Sequence, residues 1–285
     1  MQIVAPAHFR NPSELQGQSV ARDPRTPGFR EPRVEIDMRG CEFVRPAAVL
    51  WCLIYPLLAK QRGSEGCVLV PGNMGTCIYL KSLGLFDLLQ AEGVDVDTRG
   101  IPNRRDPQIV LPLTRFQSQS DVERIANDVQ ERLGSSGLGA ANLHPLVSEA
   151  FAELGLNAVE HSQSAIGSFG FVQFYEFAEG QRFVCGVGDG GIGIRASLAR
   201  NPQFANRVPY DWVAIELAVR ERVSGTGSNT RGIGLYGVSE DMRKPGRSLI
   251  LHSGVGSLAI SEEMETAARR TNLFPGTLAY ASIPT

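Results

Sequence analysis

Apolar residues along this 285-residue chain change period repeatedly, and those changes mark out the elements. Residues 33–38 alternate as a strand does, and residues 46–61 form an apolar helix with Pro46 in its first turn. A short buried strand is predicted at 67–70 and a helix at 75–83, with Gly84 placed as its C-cap. A strand at 109–113 and a helix at 121–133, capped by Ser120 or Asp121, come next. The helix predicted at 145–162 carries Leu146, Ala150, Leu154 and Ala158 as its inward stripe. Alternating runs at 169–177 and 182–187 flank Glu179 and Gly180 and predict a hairpin. Helices at 212–223 and 233–242, then strands at 248–252, 257–260 and 277–283, complete the pattern.

This is an α/β chain. The first βαβα run predicts a small α/β domain over 1–94, fronted by a polar arm rich in Pro and Arg. Residues 95–107 contain Arg-Gly-Ile-Pro-Asn-Arg-Arg-Asp-Pro and read as a linker, which leaves 108–285 as the second domain. A hairpin there argues against a doubly wound dinucleotide fold and for a mixed sheet with helices on one face.

Charge and composition narrow the function by exclusion. A net charge of −2 gives no electrostatic case for nucleic acid or an anionic membrane as partner. The five cysteines form no CxxC pair and have no clustered histidines, so they predict reduced thiols rather than disulfides or a zinc site. The opening Met-Gln-Ile-Val-Ala-Pro has neither the basic flank nor the apolar run of a signal peptide, and residues 47–59 are too short to span a bilayer. The expectation is a cytoplasmic protein.

The chemistry concentrates in the second domain. Glu153, Asn157 and His161 recur at i, i+4 and i+8, spacings that stack side chains along one face of a helix. Asn157 would offer an amide oxygen to Mg²⁺, and Glu153 would orient or deprotonate an attacking water or hydroxyl. A solvated helix face explains this triad alone equally well. Asp189-Gly-Gly-Ile-Gly193 follows a strand directly. A carboxylate there can accept from the exocyclic amine of adenine, and Gly191 and Gly193 let backbone approach the base; a capped Gly-rich turn is the plainer reading. Arg231-Gly232-Ile-Gly234 opens a helix after the polar run 224–230, which resembles a lid. Its glycines would present N–H groups to phosphate and Arg231 a charge-assisted contact. No Gly-Lys-Ser/Thr follows, so this is not a Walker loop. His144 and His252 have no carboxylate at a useful spacing, and Phe169, Phe171, Phe174 and Phe177 read as hairpin core.

Taken in order, Glu153/Asn157/His161, Asp189-Gly-Gly-Ile-Gly193, Gly232-Ile-Gly234 and Gly276-Thr277 resemble the N, G1, G2 and G3 boxes of the GHKL ATPases. The resemblance covers roughly 109–285 and is closest to anti-sigma-factor serine kinases and histidine-kinase catalytic domains. It implies the Bergerat fold, a two-layer α/β sandwich with ATP beneath a lid. By position it makes Glu153 the catalytic base, Asn157 the Mg²⁺ ligand, Asp189 the adenine contact and Thr277 an adenine-side or bound-water contact. Between Arg195 and Arg231 the chain departs from the histidine-kinase pattern, with no clear Phe box. Residues 34–44, 67–70 and 78–85 resemble the STAS domains of anti-sigma-factor antagonists. Where those carry Asp-Ser-Ser-Gly, this chain has Arg45-Pro46-Ala47-Ala48 and no hydroxyl.

The resemblance implies a regulatory switch that binds Mg·ATP and phosphorylates or controls a protein partner, with a homodimer left open. A slow ATPase driving assembly and a non-hydrolysing ATP-sensing scaffold are the alternatives. A complete histidine kinase is disfavoured, since no long helix pair carries a His-Glu or His-Asp acceptor.

Overall fold

The computed structural model describes residues 1–10, 12–15, 22–177, 180–220, 234–262 and 268–285. It divides into two compact units. One is Met1–Pro107 with Asn272–Pro275, and the other is Gln108–Thr271 with Gly276–Thr285.

The first unit is built on a four-stranded sheet of β1 (Gln2–Val4), β3 (Arg33–Asp37), β5 (Glu65–Leu69) and β6 (Asp95–Val96), in that order. All three pairings are parallel, so each connection must cross over the sheet. Helix α1 (Pro46–Gln61) lies in the crossover from β3 to β5, and α2 (Met74–Ser82) with α3 (Leu85–Ala91) in the crossover from β5 to β6. Every residue of α1 from Pro46 to Ala59 is buried, which is why its sequence is apolar all round rather than striped. A parallel pair, β2 (His8–Phe9) with β4 (Phe43–Val44), lies beside it. The Trp51 indole donates to the Leu273 carbonyl at 3.3 Å, which ties the 272–275 segment to this unit.

Three expectations change here. Asp95–Val96, assigned from sequence to a linker, form the edge strand β6, and the unit runs on to Pro107. Two residues are too few to show a period. Gly84 sits at φ +89° between two helices and starts α3, which sequence reading missed. The polar arm contributes β2, because Phe9 is fully buried despite its polar neighbours.

The second unit is a five-stranded sheet in the order β10 (Ser248–Ser261), β11 (Arg269–Pro284), β9 (Gly180–Asp189), β8 (Ser168–Phe177) and β7 (Ile109–Phe116). The pairs β7·β8, β8·β9 and β9·β11 are antiparallel. Helices α4 (Gln119–Ser136), α5 (His144–His161), α7 (Asp211–Ala218) and α8 (Gly234–Met242) share one core with Val172, Phe183, Cys185, Val187, Leu251 and Ala281 of the sheet. Those strand residues stand on one face, so these helices form a single layer upon it.

Helix α5 lies where the site forms. Val147, Ala150, Phe151, Leu154 and Ala158 are its buried apolar positions. The predicted stripe included Leu146, which is half-buried, and omitted Phe151, which is fully buried. Two glycines let this helix sit close. A Cβ on Gly170 would stand 2.7 Å from the Phe151 ring, and one on Gly155 would stand 2.9 Å from Val122 of α4.

One predicted strand break is not a break, and one strand starts earlier than predicted. The runs at 248–252 and 257–260 are one strand, β10. Gly254 and Gly256 are there because α7 presses on the strand. Side chains at those positions would meet Asp211 and Trp212 at 2.3 and 2.6 Å, and the Val255 N–H donates to Asp211 Oδ2 at 2.9 Å. The last strand begins at Arg269, not at 277, and passes through Pro275 and Gly276.

Among the described residues no helix is long and apolar enough to cross a membrane. The five cysteines are free thiols and all buried.

Candidate nucleotide site

A pocket opens between the sheet and the helices of the second unit. It takes in about 770 Å³ of space, the open solvent at its mouth included. Asn157 and His161 of α5 line it, with Asp189 at the end of β9, Gly193 and Ile194 at the start of α6 (Gly193–Ala199), and Thr277 of β11. Leu154, Val187, Leu198, Leu235 and Leu251 supply apolar walls. Five of the residues predicted from sequence, Asn157, His161, Asp189, Gly193 and Thr277, therefore share one pocket.

Register explains how distant segments meet. Asp189 pairs with Thr277 on one side and Ser168 on the other, and directly paired residues project from the same face of a sheet. Asp189 is 2 % exposed, and its Oδ1 accepts from the Gly191 N–H at 2.8 Å. An acidic oxygen at the floor of a mostly apolar pocket suits a ligand amine.

The glycines shape the wall by close approach. A Cβ on Gly191 would fall 1.9 Å from the Ser162 carbonyl oxygen, which accepts from the Ile192 N–H at 2.7 Å. Gly191 thus packs the 189–193 turn against the end of α5 and does not itself line the pocket. Gly276, at φ +127°, is equally forced, because a Cβ there would be 1.9 Å from the Asp189 carbonyl.

Glu153 does not line this pocket. Four residues advance a helix by one turn plus about 40°, so residues at i, i+4 and i+8 wind steadily around it. Asn157 and His161 face the pocket, while Glu153 and Asn157 face an adjoining groove between α5 and α8. Asn157 sits on the shared edge. Its Nδ2 donates to the Glu153 carbonyl at 2.7 Å, which commits the amino end to the helix and leaves the oxygen Oδ1 for another partner. Among the described residues no group of three His, Cys, Asp or Glu could hold a metal. A cation at Asn157 would therefore draw its other ligands from phosphate oxygens and water, as Mg²⁺ commonly does.

In the groove, Glu149, Glu153 and Glu160 of α5 face Gly234, Gly237 and Asp241 of α8. A Cβ on Gly234 would lie 2.4 Å from Glu153 Oε2, so a side chain there would turn this carboxylate aside. Burial raises the Glu153 pKa above the ordinary carboxylate value, and the charges of Glu149 and Glu160 raise it further. A carboxylate so tuned is a better base near neutral pH. Arg231 and Gly232, with the polar run read as a lid, lie outside the described residues.

Sequence reading missed Ser253. It is 2 % exposed, donates to the Gly276 carbonyl at 3.0 Å, accepts from the Ile194 N–H at 2.9 Å and lies 3.2 Å from Thr277 Oγ1. His144 and His252 are buried outside the pocket lining, and His144 Nε2 bonds the Leu138 carbonyl at 2.9 Å.

No model of a known protein family matches the chain, and no curated protein proves similar to it.

Proposed function

We propose that the chain is a cytoplasmic Mg·ATP-binding regulatory switch, with a GHKL-type Bergerat fold in the second unit and an STAS-like first unit. The observation that carries this is the convergence of Asn157, His161, Asp189, Gly193 and Thr277, from four segments of chain, on one pocket. Nothing in core packing requires a buried carboxylate, a carboxamide and a hydroxyl to converge.

The donor set fits the nucleotide. Asp189 offers an acceptor for an amine in an apolar slot, and Asn157 an oxygen for a hydrated cation at the edge toward the groove. ATP would supply the phosphoryl group and Mg²⁺ the neutralisation of its charge. Glu153, one turn back, holds a carboxylate ready to take the proton from a water or an acceptor hydroxyl. Its raised pKa and the close backbone of Gly234 suit that role better than the role of a solvated surface residue.

The first unit is proposed as a docking module and not as a substrate. Its α1 begins at Arg45-Pro46-Ala47-Ala48, with Ala47 and Ala48 buried, so the acceptor position has no hydroxyl.

The test is turnover. Glu153→Ala is expected to keep ATP affinity within about threefold and to lower phosphate release or transfer about 10²–10⁴-fold, since a base acts on the transition state. A variant that turns over at the wild-type rate would remove Glu153 from the mechanism. In the wild type, phosphate release by the chain alone marks an ATPase and label on a partner marks a kinase. Tight binding with neither marks a sensing scaffold.

A further inference from the structure

The hydrogen bonds around Ser253 fix which way the Thr277 hydroxyl points. Ser253 Oγ has one proton and two lone pairs. The Gly276 carbonyl 3.0 Å away can only accept, so that proton is committed to it. The Ile194 N–H at 2.9 Å can only donate, so it takes one lone pair. What remains for Thr277 Oγ1, 3.2 Å away, is the second lone pair. Thr277 must therefore donate to Ser253, and its own lone pairs are left toward the pocket that it lines. Asp189, its partner in register on β9, is also an acceptor.

We propose that Ser253 is a specificity-positioning residue: by holding the Thr277 proton it makes the floor of the pocket accept-only, and so selects a 6-aminopurine nucleotide over a 6-oxopurine one. The inference rests on the nucleotide reading above and adds the source of its base preference. An exocyclic amine brings donors to these acceptors. A 6-oxo group would meet lone pairs with lone pairs, leaving buried acceptors unpaired, which discriminates more strongly than shape does. Ser253 reaches the ligand only through Thr277. It is fully enclosed, and it joins three segments (β10, the start of α6 and Gly276–Thr277 of β11) that also carry lining residues.

ATP and inosine triphosphate differ at the purine 6-position and at N1, which carries a proton only in the 6-oxo base, so the change of their affinity ratio in the variants reads this floor. Calorimetry on the full chain is expected to show wild type favouring ATP. Ser253→Ala frees the Thr277 hydroxyl to donate and should cut the ATP-to-ITP ratio about tenfold, chiefly by gaining affinity for ITP. A merely structural role would weaken both nucleotides together and leave the ratio alone. In a Thr277→Val background, Ser253→Ala should change the ratio no further. An unchanged ratio in folded Ser253→Ala, or an equal change in the Thr277→Val background, overturns the inference. If Ser253→Ala does not fold, Thr277→Val alone decides: it should lower the ratio by removing an acceptor, and an unchanged ratio contradicts the proposal. Wild-type protein that binds neither nucleotide overturns the nucleotide reading itself, and this inference with it.

Discussion

Gly191 holds the candidate site together by having no side chain, and its neighbour across the gap is backbone rather than a movable side chain. The Ser162 carbonyl occupies the space a methyl group would need. Gly191→Ala should therefore push the 189–193 turn off the end of α5 and destabilise the second unit by on the order of 3 kcal/mol, the range of overpacked buried positions. Thermal unfolding would check this; an unchanged transition would show that the turn has room to shift. The sequence marked Asp189-Gly-Gly-Ile-Gly193 as a site but gave the glycines one shared role. In the fold Gly193 lines the pocket, whereas Gly191 packs on Ser162. Ser253 was not legible at all. A lone serine in Leu249-Ile-Leu-His-Ser253 carries no motif, and only the placement of Ile194, Gly276 and Thr277 around it gives it a task.

At the scale of elements, legibility followed the strength of local signals. Helix α1 was readable to its ends because Pro46 opens it and its whole length is apolar. Helix α4 was found but started late. Its N-cap is Ser118, whose Oγ accepts from the Asp121 N–H at 3.1 Å while Asp121 Oδ2 accepts from the Ser118 N–H, also at 3.1 Å. This reciprocal box was visible as Ser-x-x-Asp and was passed over for nearer caps. Ser118→Ala should cost about 1 kcal/mol, and hydrogen exchange should show the loss first in the opening turn of α4. Unaltered protection there would mean that packing against α5 alone fixes the helix start. Strands were harder, because glycine has two meanings. Gly254 and Gly256 fall in the gap between two predicted strands and Gly276 just before a third, yet each marks where another segment comes close to an unbroken strand. The i, i+4, i+8 spacing on α5 was legible as a motif, but helical drift divides it, with Glu153 in the groove, His161 in the pocket and Asn157 between them.

At the scale of the molecule, the polar stretch 95–107 marked a division into two domains and a second unit does begin at Gln108, but the stretch itself belongs to the first unit. What no local pattern could show is that Asn272–Pro275 clusters with the first unit while the rest of the last strand belongs to the second. The division of labour proposed for the two units has a direct consequence. In the first, Ser64 Oγ donates to the Glu31 carbonyl, Thr76 Oγ1 to the Glu42 carbonyl and the Tyr55 hydroxyl to the Arg22 carbonyl, and all three residues are buried. Incubation with labelled ATP should therefore leave no stoichiometric phosphate on Tyr55, Ser64 or Thr76, as peptide mapping would show. A phosphate there would make the unit a substrate.

The central claim is that the pocket around Asp189 binds an adenine nucleotide. Calorimetric titration of the full chain with Mg·ATP, beside Asp189→Asn, tests it most directly, because that substitution keeps the shape of the side chain while replacing one acceptor oxygen with a donor amine. Saturable one-site binding by the wild type is predicted, with a loss of about a hundredfold or more in the variant at an unchanged circular dichroism spectrum. Equal affinity of the two proteins for ATP, or no binding by either, would contradict the account.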